Sequence, residues 1–146
     1  MLFGGQILLG TCMIALTVVV HAVGIIALIG SLRGRVVGKD GRQNLFRMVG
    51  VLVITVLSIF LFHTIEIWLW AILYMGLGTF EVMERALYFS TVTFTTLGYG
   101  DITLPPRWQL LSSFEAVNGI ILIGVSTAFV FAVMQRLYQS HAADPS

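Results

Sequence analysis

Three long stretches of the sequence carry almost no charge, and this feature limits the possible folds more than any other. Met1 to Leu32 contains no Lys, Arg, Asp or Glu, Met48 to Phe80 contains only Glu66, and Trp108 to Gln135 contains only Glu115. About 20 apolar residues in a helix cross the hydrocarbon core of a bilayer. Each stretch therefore predicts one membrane-spanning helix. We place these helices near 6–30, 48–74 and 109–136.

The composition excludes several classes of protein. Of the 146 residues, 58% are hydrophobic and 10% are charged, whereas soluble domains carry about 25% charged residues. A soluble enzyme, a nucleic-acid-binding protein and a disordered chain are excluded on this ground. The single cysteine, Cys12, excludes an intrachain disulfide and a multi-cysteine metal site. The chain is a small integral membrane protein, too short to enclose a transport pathway without further copies.

The positive charges predict the orientation of the chain. Five of the eight Lys and Arg residues lie between the first two predicted spans, and positively charged loops stay on the cytoplasmic side. We therefore expect the N-terminus and the segment 75–108 outside, the C-terminus in the cytoplasm, and the bacterial inner membrane as the location. The five residues are Arg33, Arg35, Lys39, Arg42 and Arg47.

A fourth uncharged stretch, Ala86 to Gly100, is too short to span a membrane and predicts a re-entrant segment. Its first part favours a helix of about three turns. Two glycines, Gly98 and Gly100, then permit backbone conformations that other residues avoid. Extended backbone at membrane depth leaves carbonyl groups without partners unless they face an aqueous path. A dehydrated cation would supply the missing partner, and a glycine-rich extracellular turn is the alternative.

Residues Thr96 to Asp101 read T-L-G-Y-G-D, which resembles the pore signature T-V-G-Y-G-D of potassium channels. The order of outer helix, pore helix, filter and inner helix over 48–137 is similar to that of the pore-loop potassium channel family. The chain resembles the prokaryotic type with one extra N-terminal transmembrane helix.

This resemblance implies a homotetramer with one filter strand from each chain. Backbone carbonyls coordinate K⁺ in that family, and the Thr96 hydroxyl would close the inner end of the path. Asp101 would lie at the outer mouth, where it raises the local cation concentration or caps the loop. The selectivity filter would comprise Thr96, Leu97, Gly98, Tyr99 and Gly100, with K⁺ held at the first four.

We expect the stability of this filter to depend on aromatic packing and on two departures from the family pattern. The Tyr99 ring is expected to pack on the pore helix, with Tyr88 and Phe89 as candidate neighbours. Leu97 stands where valine is commoner, which affects packing behind the strand. Val92 stands where some members have a carboxylate, so gating through that carboxylate cannot be transferred to this chain.

Four polar residues within the predicted spans are candidates for a functional cluster. His63 and Glu66 are three residues apart and share a helix face, as do Glu115 and Asn118. We expect one buried polar cluster that joins the outer, inner and pore helices behind the filter. Hydrogen-bonded packing, a titrating gate and a metal site are the three interpretations. His21, in the first span, is predicted to be a helix-contact residue.

Small residues in the last span predict features of an inner helix. Gly119 and Gly124 are candidates for a hinge, as the family resemblance implies, or for close helix packing. Ser126 and Thr127 are candidates for lining a cavity below the filter.

We therefore predict an all-α membrane protein with three transmembrane helices and one re-entrant pore helix and filter loop, assembled as a homotetramer. Its function would be passive, potassium-selective conduction, without enzymatic activity, without a cofactor and with K⁺ as the permeant ion. Its partners would be three identical subunits and the lipid bilayer, with no nucleic acid. A weakly selective cation channel and a non-conducting membrane subunit or scaffold are the alternatives.

The predicted parts of the chain are an extra helix at 1–32, a basic cytoplasmic loop at 33–47, a pore module at 48–137 and a cytoplasmic tail at 138–146. Within the pore module we predict an outer helix at 48–74, a pore helix at 84–95, a filter at 96–101 and an inner helix at 109–136.

Overall fold

A computed structural model describes residues 3–36 and 45–142, and the regular secondary structure within these ranges is helical. Three of the four helices are long, and the third has only 12 residues. In chain order they are α1 (Phe3–Val36), α2 (Leu45–Gly76), α3 (Met83–Phe94) and α4 (Gln109–Ala142).

Helices α1, α2 and α4 are long and apolar enough to cross a membrane, which confirms the predicted all-α membrane fold. Their apolar spans cover Phe3–Arg33, Leu45–Gly76 and Gln109–Gln139. Most of the predicted basic loop and the end of the predicted tail lie outside the described residues.

The end of α2 follows from one glycine. Gly78 adopts φ +66°, a left-handed conformation that glycine enters without steric cost. The Thr79 amide then donates to the Tyr74 carbonyl (3.1 Å) and the Gly78 amide to the Met75 carbonyl (3.0 Å). This pair of bonds is the Schellman motif, which satisfies the last carbonyls of a helix. The chain is thereby turned from α2 toward α3.

One face of α1 packs against α2 and α4. Phe114 of α4 lies so close to Gly10 that a β-carbon there would come within 2.8 Å of its ring, and the Phe62 ring leaves 3.0 Å at Gly24. Such small residues let helices approach closely in a membrane, where lipid is as apolar as the side chains. The buried residues of this face recur at helical spacing, and they are Gln6, Gly10, Thr17, His21, Leu28 and Leu32.

Two apolar clusters lie at different levels of the helix bundle. The first joins α2, α3, the segment after the filter and α4, and it surrounds the short helix. The second joins α1, α2 and α4 nearer the C-terminal end of α4. The first contains Trp70, Tyr74, Phe89, Phe94, Leu104, Trp108, Leu111 and Leu122, and the second contains Leu28, Leu32, Val51, Val133 and Leu137.

Candidate functional site

The short helix α3 descends to about the middle of the long helices. Its last residue, Phe94, has its ring centroid 5.8 Å from that of His63, about 20 Å below the C-terminal end of α2 at 1.5 Å per residue. The Phe94 carbonyl meets α4 at Gly119, where a β-carbon would lie 1.9 Å from its oxygen. The segment after α3 therefore begins deep in the bundle.

The C-terminal turn of α3 holds the start of the candidate filter segment, residues 96–101. The Thr96 amide donates to the Thr93 carbonyl (2.9 Å), and the amides of Leu97 and Gly98 donate to the Val92 carbonyl (3.0 and 3.2 Å). The Val92 carbonyl thus supports the filter segment, although the Val92 side chain has no carboxylate.

Left-handed backbone recurs at every second residue of the filter segment. Thr96 has φ +59°, Gly98 φ +54° and Gly100 φ +75°. Thr96 is the only described residue other than glycine with a positive φ, a conformation that costs about 1–2 kcal/mol for an L-residue. Such strain persists only where the surroundings impose it, and it clusters at functional sites.

The predicted packing of Tyr99 on the pore helix is not formed within one chain. Tyr99 is 66% exposed and Leu97 56% exposed. Phe89 instead faces the core, with its ring centroid 5.3 Å from that of Tyr74 and 5.4 Å from that of Phe80. The reason is that the Phe89 ring is taken up by the aromatic side chains at the C-terminal end of α2 and in the loop after it.

Tyr88 reaches the end of the filter segment. Its hydroxyl donates to the Asp101 carboxylate at 2.8 Å, and this hydrogen bond raises the pKa of Tyr88 above its ordinary value of 10.0. The Tyr88 hydroxyl therefore keeps its hydrogen at neutral pH and can donate it to Asp101. Asp101 is exposed and is fastened to the short helix across the filter segment.

The predicted single cluster of His63, Glu66, Glu115 and Asn118 is corrected by the structure. Its hydrogen bonds divide the four residues among three groups, each with partners from another helix. The physical reason is that residues three apart share a helix face only approximately. Glu115 and Asn118 therefore meet different neighbours across α4.

Glu115 of α4 is bonded to both α2 and the short helix α3, as expected for a residue behind the filter. Tyr74 of α2 donates to its Oε2 at 2.7 Å, and Ser90 of α3 donates to its Oε1. The Ser90 hydroxyl also lies 2.9 Å from the Ile67 carbonyl. The carboxyl group is fully buried, so these two donors are its compensation for lost water.

Asn118 joins α4 to α1. Its amide nitrogen donates to the Thr17 hydroxyl at 2.7 Å, and that hydroxyl lies 3.0 Å from the Met13 carbonyl. Its amide oxygen is buried without a hydrogen-bond partner among the described residues.

The third group closes into a ring of four side chains from three helices, which we call the buried ring: His21, His63, Glu66 and Ser126. Both Nδ1 atoms lie 2.8 Å from the carboxylate, His21 at Oε1 and His63 at Oε2. Both Nε2 atoms face the Ser126 hydroxyl, at 3.2 Å from His21 and 3.0 Å from His63. The imidazoles stack with centroids 5.3 Å apart.

Of all described residues, His21, His63 and Glu66 form the one group with three metal-type ligand atoms within 4.8 Å of one another. The two Nδ1 atoms and both carboxylate oxygens are already occupied by mutual hydrogen bonds. The geometry therefore favours a hydrogen-bonded network over a metal centre.

The residues predicted on the inner helix have different surroundings. Gly119 serves close packing, because the Phe94 carbonyl occupies the space of a side chain. Gly124 has open space around it, so the hinge stays a prediction there. Ser126 is 4% exposed in the buried ring, which corrects its prediction as a cavity-lining residue. Thr127, one position on, is exposed and its hydroxyl donates to the Ile123 carbonyl.

The sequence predicts no role in these networks for Thr17, Tyr74 or Ser90, and gives His21 only a helix contact. One signal was present for His21, because it is the only titratable side chain of the first span apart from Cys12. Hydroxyl groups of Ser, Thr and Tyr carry no such signal, since they often bond to their own helix.

The fold is that of a membrane protein in which two of the three spanning helices, α2 and α4, pack against a short helix that leads into a strained loop. The family described as "Ion channel" matches residues 48–136, which is more than half of the chain. The chain belongs to this ion channel family, and the matched region covers most of α2, all of α3 and the filter segment, and most of α4. Neither the curated proteins nor the solved structures gave a match.

Proposed function

We propose that the protein is a potassium-selective channel in which four copies surround one central path. The backbone carbonyls of Thr96, Leu97, Gly98 and Tyr99 would replace the hydration shell of K⁺. Gly100 would complete the filter, and Asp101 would lie at the outer mouth. Conduction is passive, so the proposal includes no enzymatic activity and no cofactor, with K⁺ as the permeant ion.

The alternating backbone of the filter segment is the observation that carries this proposal. Left-handed residues at Thr96, Gly98 and Gly100 alternate with residues of negative φ. Such alternation turns successive carbonyl groups toward the same side of a strand. A row of carbonyls on one side is what a dehydrated cation requires.

Exposure of this segment supports assembly around an aqueous path. Leu97 and Tyr99 are more than half exposed in the single chain, and the start of the segment lies deep in the bundle. Non-helical backbone is not tolerated against lipid at such depth. Further copies of the chain, enclosing water and ions, satisfy this requirement.

Flux into liposomes tests the proposed function. Purified protein should carry K⁺, Ba²⁺ should block the flux, and the reversal potential under K⁺ and Na⁺ gradients should follow K⁺. Equal permeability would instead identify a weakly selective cation channel. Absence of flux at every pH and voltage would identify a non-conducting subunit.

Two glycine variants separate the filter from general backbone strain. Gly98→Ala places a β-carbon at φ +54°, and we expect loss of K⁺ flux. Gly78→Ala imposes the same kind of strain at φ +66° in the loop after α2, and flux should persist. If both variants conduct like the original protein, the filter assignment is wrong.

The orientation follows from the positive charges, and we propose an external N-terminus, an external segment between α2 and α4, and a cytoplasmic C-terminus. In a Cys12→Ser background, Glu81→Cys should react with an impermeant thiol reagent on intact bacterial cells. Gln139→Cys should react only after permeabilisation. The reverse pattern would invert the topology.

A further inference from the structure

The buried ring has more contacts than two neutral imidazoles, an ionised carboxylate and a hydroxyl can fill with hydrogens. It contains four nitrogen–oxygen contacts: two between imidazole Nδ1 atoms and the Glu66 carboxylate, and two between imidazole Nε2 atoms and the Ser126 hydroxyl. Each contact is favourable only if one hydrogen lies between its two atoms. Two neutral imidazoles, an ionised carboxylate and one hydroxyl supply three hydrogens.

We infer that the buried ring binds a fourth, exchangeable hydrogen, so that it is a proton-binding site with a net charge of zero. This inference is independent of ion selectivity and of the filter segment.

The four hydrogens can be placed so that each of the four contacts holds one. Both Nδ1–H groups donate to Glu66, the Nε2–H of one imidazole donates to the Ser126 oxygen, and the Ser126 hydroxyl donates to the other Nε2. The extra hydrogen is placed on an imidazole, because the Glu66 carboxylate can then accept from both Nδ1–H groups. The two stacked imidazoles then share one positive charge opposite one negative charge.

The surroundings favour this neutral state. Glu66 is fully buried and His21 is 2% exposed, near the middle of the long helices, where an uncompensated charge is costly. The titratable groups that face the ring are His21 from α1 and His63 and Glu66 from α2. Among the described residues, the other groups in contact with these three do not titrate: α4 contributes Ser126, α3 the Phe94 ring and α2 the Phe62 ring.

Release of the fourth hydrogen has a mechanical consequence for α1. The ring would then carry a net negative charge, and the Ser126 oxygen would face one Nε2 lone pair without a hydrogen between them. His21 is the only member contributed by α1, and its contact with Ser126 is the longer of the two, at 3.2 Å against 3.0 Å for His63. This contact therefore loses its hydrogen, and α1 loses part of its attachment to α4. Below the pH at which this hydrogen leaves, the bound proton therefore holds α1 against the rest of the chain, an effect that we call the clamp. Above that pH, the attachment of α1 weakens.

Nuclear magnetic resonance of the full chain in lipid tests the hydrogen count directly. His141→Gln removes the third histidine of the sequence, which leaves the ¹⁵N signals of His21 and His63. With the ¹³C signal of the Glu66 carboxyl, these shifts count the hydrogens at pH 7.5. The proposal is supported if the two imidazoles and the carboxyl together hold three hydrogens, because Ser126 holds the fourth. A count of two, with both imidazoles neutral and Glu66 ionised, or any other count, overturns it.

A matched pair of serine variants tests the closure of the ring. Ser126→Ala should lower the pH at which the extra hydrogen leaves by about one unit or more, because its acceptor is lost. Ser31→Ala removes a hydroxyl that donates only to the Leu28 carbonyl of its own helix, and it should leave that pH unchanged. Equal shifts in both variants, or none in either, would contradict the ring.

Thermal unfolding tests the clamp without any measurement of conduction. The unfolding midpoint should fall as the pH rises through the release of the hydrogen, and His21→Gln should remove this dependence. His141→Gln should retain it. A midpoint whose pH dependence survives in His21→Gln would refute the clamp, whether or not the protein conducts K⁺.

Discussion

At the scale of single residues, the closest contact with functional meaning joins Gly119 of α4 to the Phe94 carbonyl at the end of α3. A β-carbon at position 119 would lie 1.9 Å from that oxygen. The obstacle is backbone, which cannot rotate away as a side chain can. Gly119 therefore sets how closely the inner helix approaches the residue that precedes the filter segment.

We expect Gly119→Ala to lower the free energy of unfolding by about 1–3 kcal/mol or more, since either α3 or α4 must move. Thermal unfolding of the purified protein in detergent measures this change. Gly30→Ala, a helical glycine with nothing within 4 Å, is the matched control and should not be destabilised. An unfolding midpoint of Gly119→Ala equal to that of the original protein would contradict the close approach.

At the scale of elements, α1 is attached by polar contacts at two levels in addition to its apolar face. Thr17 accepts from Asn118 of α4, and His21 contacts Glu66 of α2 and Ser126 of α4. Gly10 and Gly24 lie on either side of these residues and receive aromatic rings. Each contact has a defined register, so α1 is docked in one position rather than merely lying beside the pore module.

Thr17→Val should weaken the protein by about 1 kcal/mol, the usual range for an interhelical hydrogen bond in a membrane. The Asn118 amide would lose its acceptor while it stays buried. Chemical or thermal unfolding in detergent measures the loss. Thr11→Val, on an exposed part of α1, serves as the control and should be neutral; a comparable loss there would show that the effect is not the Asn118 contact.

At the scale of the whole molecule, the single chain leaves its filter segment uncovered. Residues 95–101 are all exposed, although α3 and the Glu115 network hold the segment from behind. In the proposed assembly, each chain of 16.1 kDa would present one wall of the central path. The complete site therefore belongs to the assembly that we propose.

Native mass spectrometry of the protein in detergent should give a mass of about four times 16.1 kDa, because four filter strands are needed to surround an ion. Cross-linking in the membrane should give a ladder that ends at four chains. A species that stays at one or two chains under both conditions would contradict the proposed assembly.

The limits of prediction from the sequence are visible in particular residues. The spans and the short helix were predictable, because hydropathy and charge are properties of consecutive residues. His63 and Glu66 were predictable as a pair, since they are three apart on one helix. Their partners were not predictable, because they are distant along the chain. His21 is 45 residues from Glu66, and Ser126 is 63 residues from His63.

The sequence alone therefore determined three spans, a re-entrant helix and a glycine-containing loop, since each depends on local length, charge and backbone freedom. Only the tertiary structure decided that Ser126 lies in the buried ring, that Glu115 and Asn118 serve different partners, and that Gly119 must be glycine. These outcomes depend on the rotation of each helix about its axis and on the distance between helices. Both are set jointly by all the packed side chains, and no single segment encodes them.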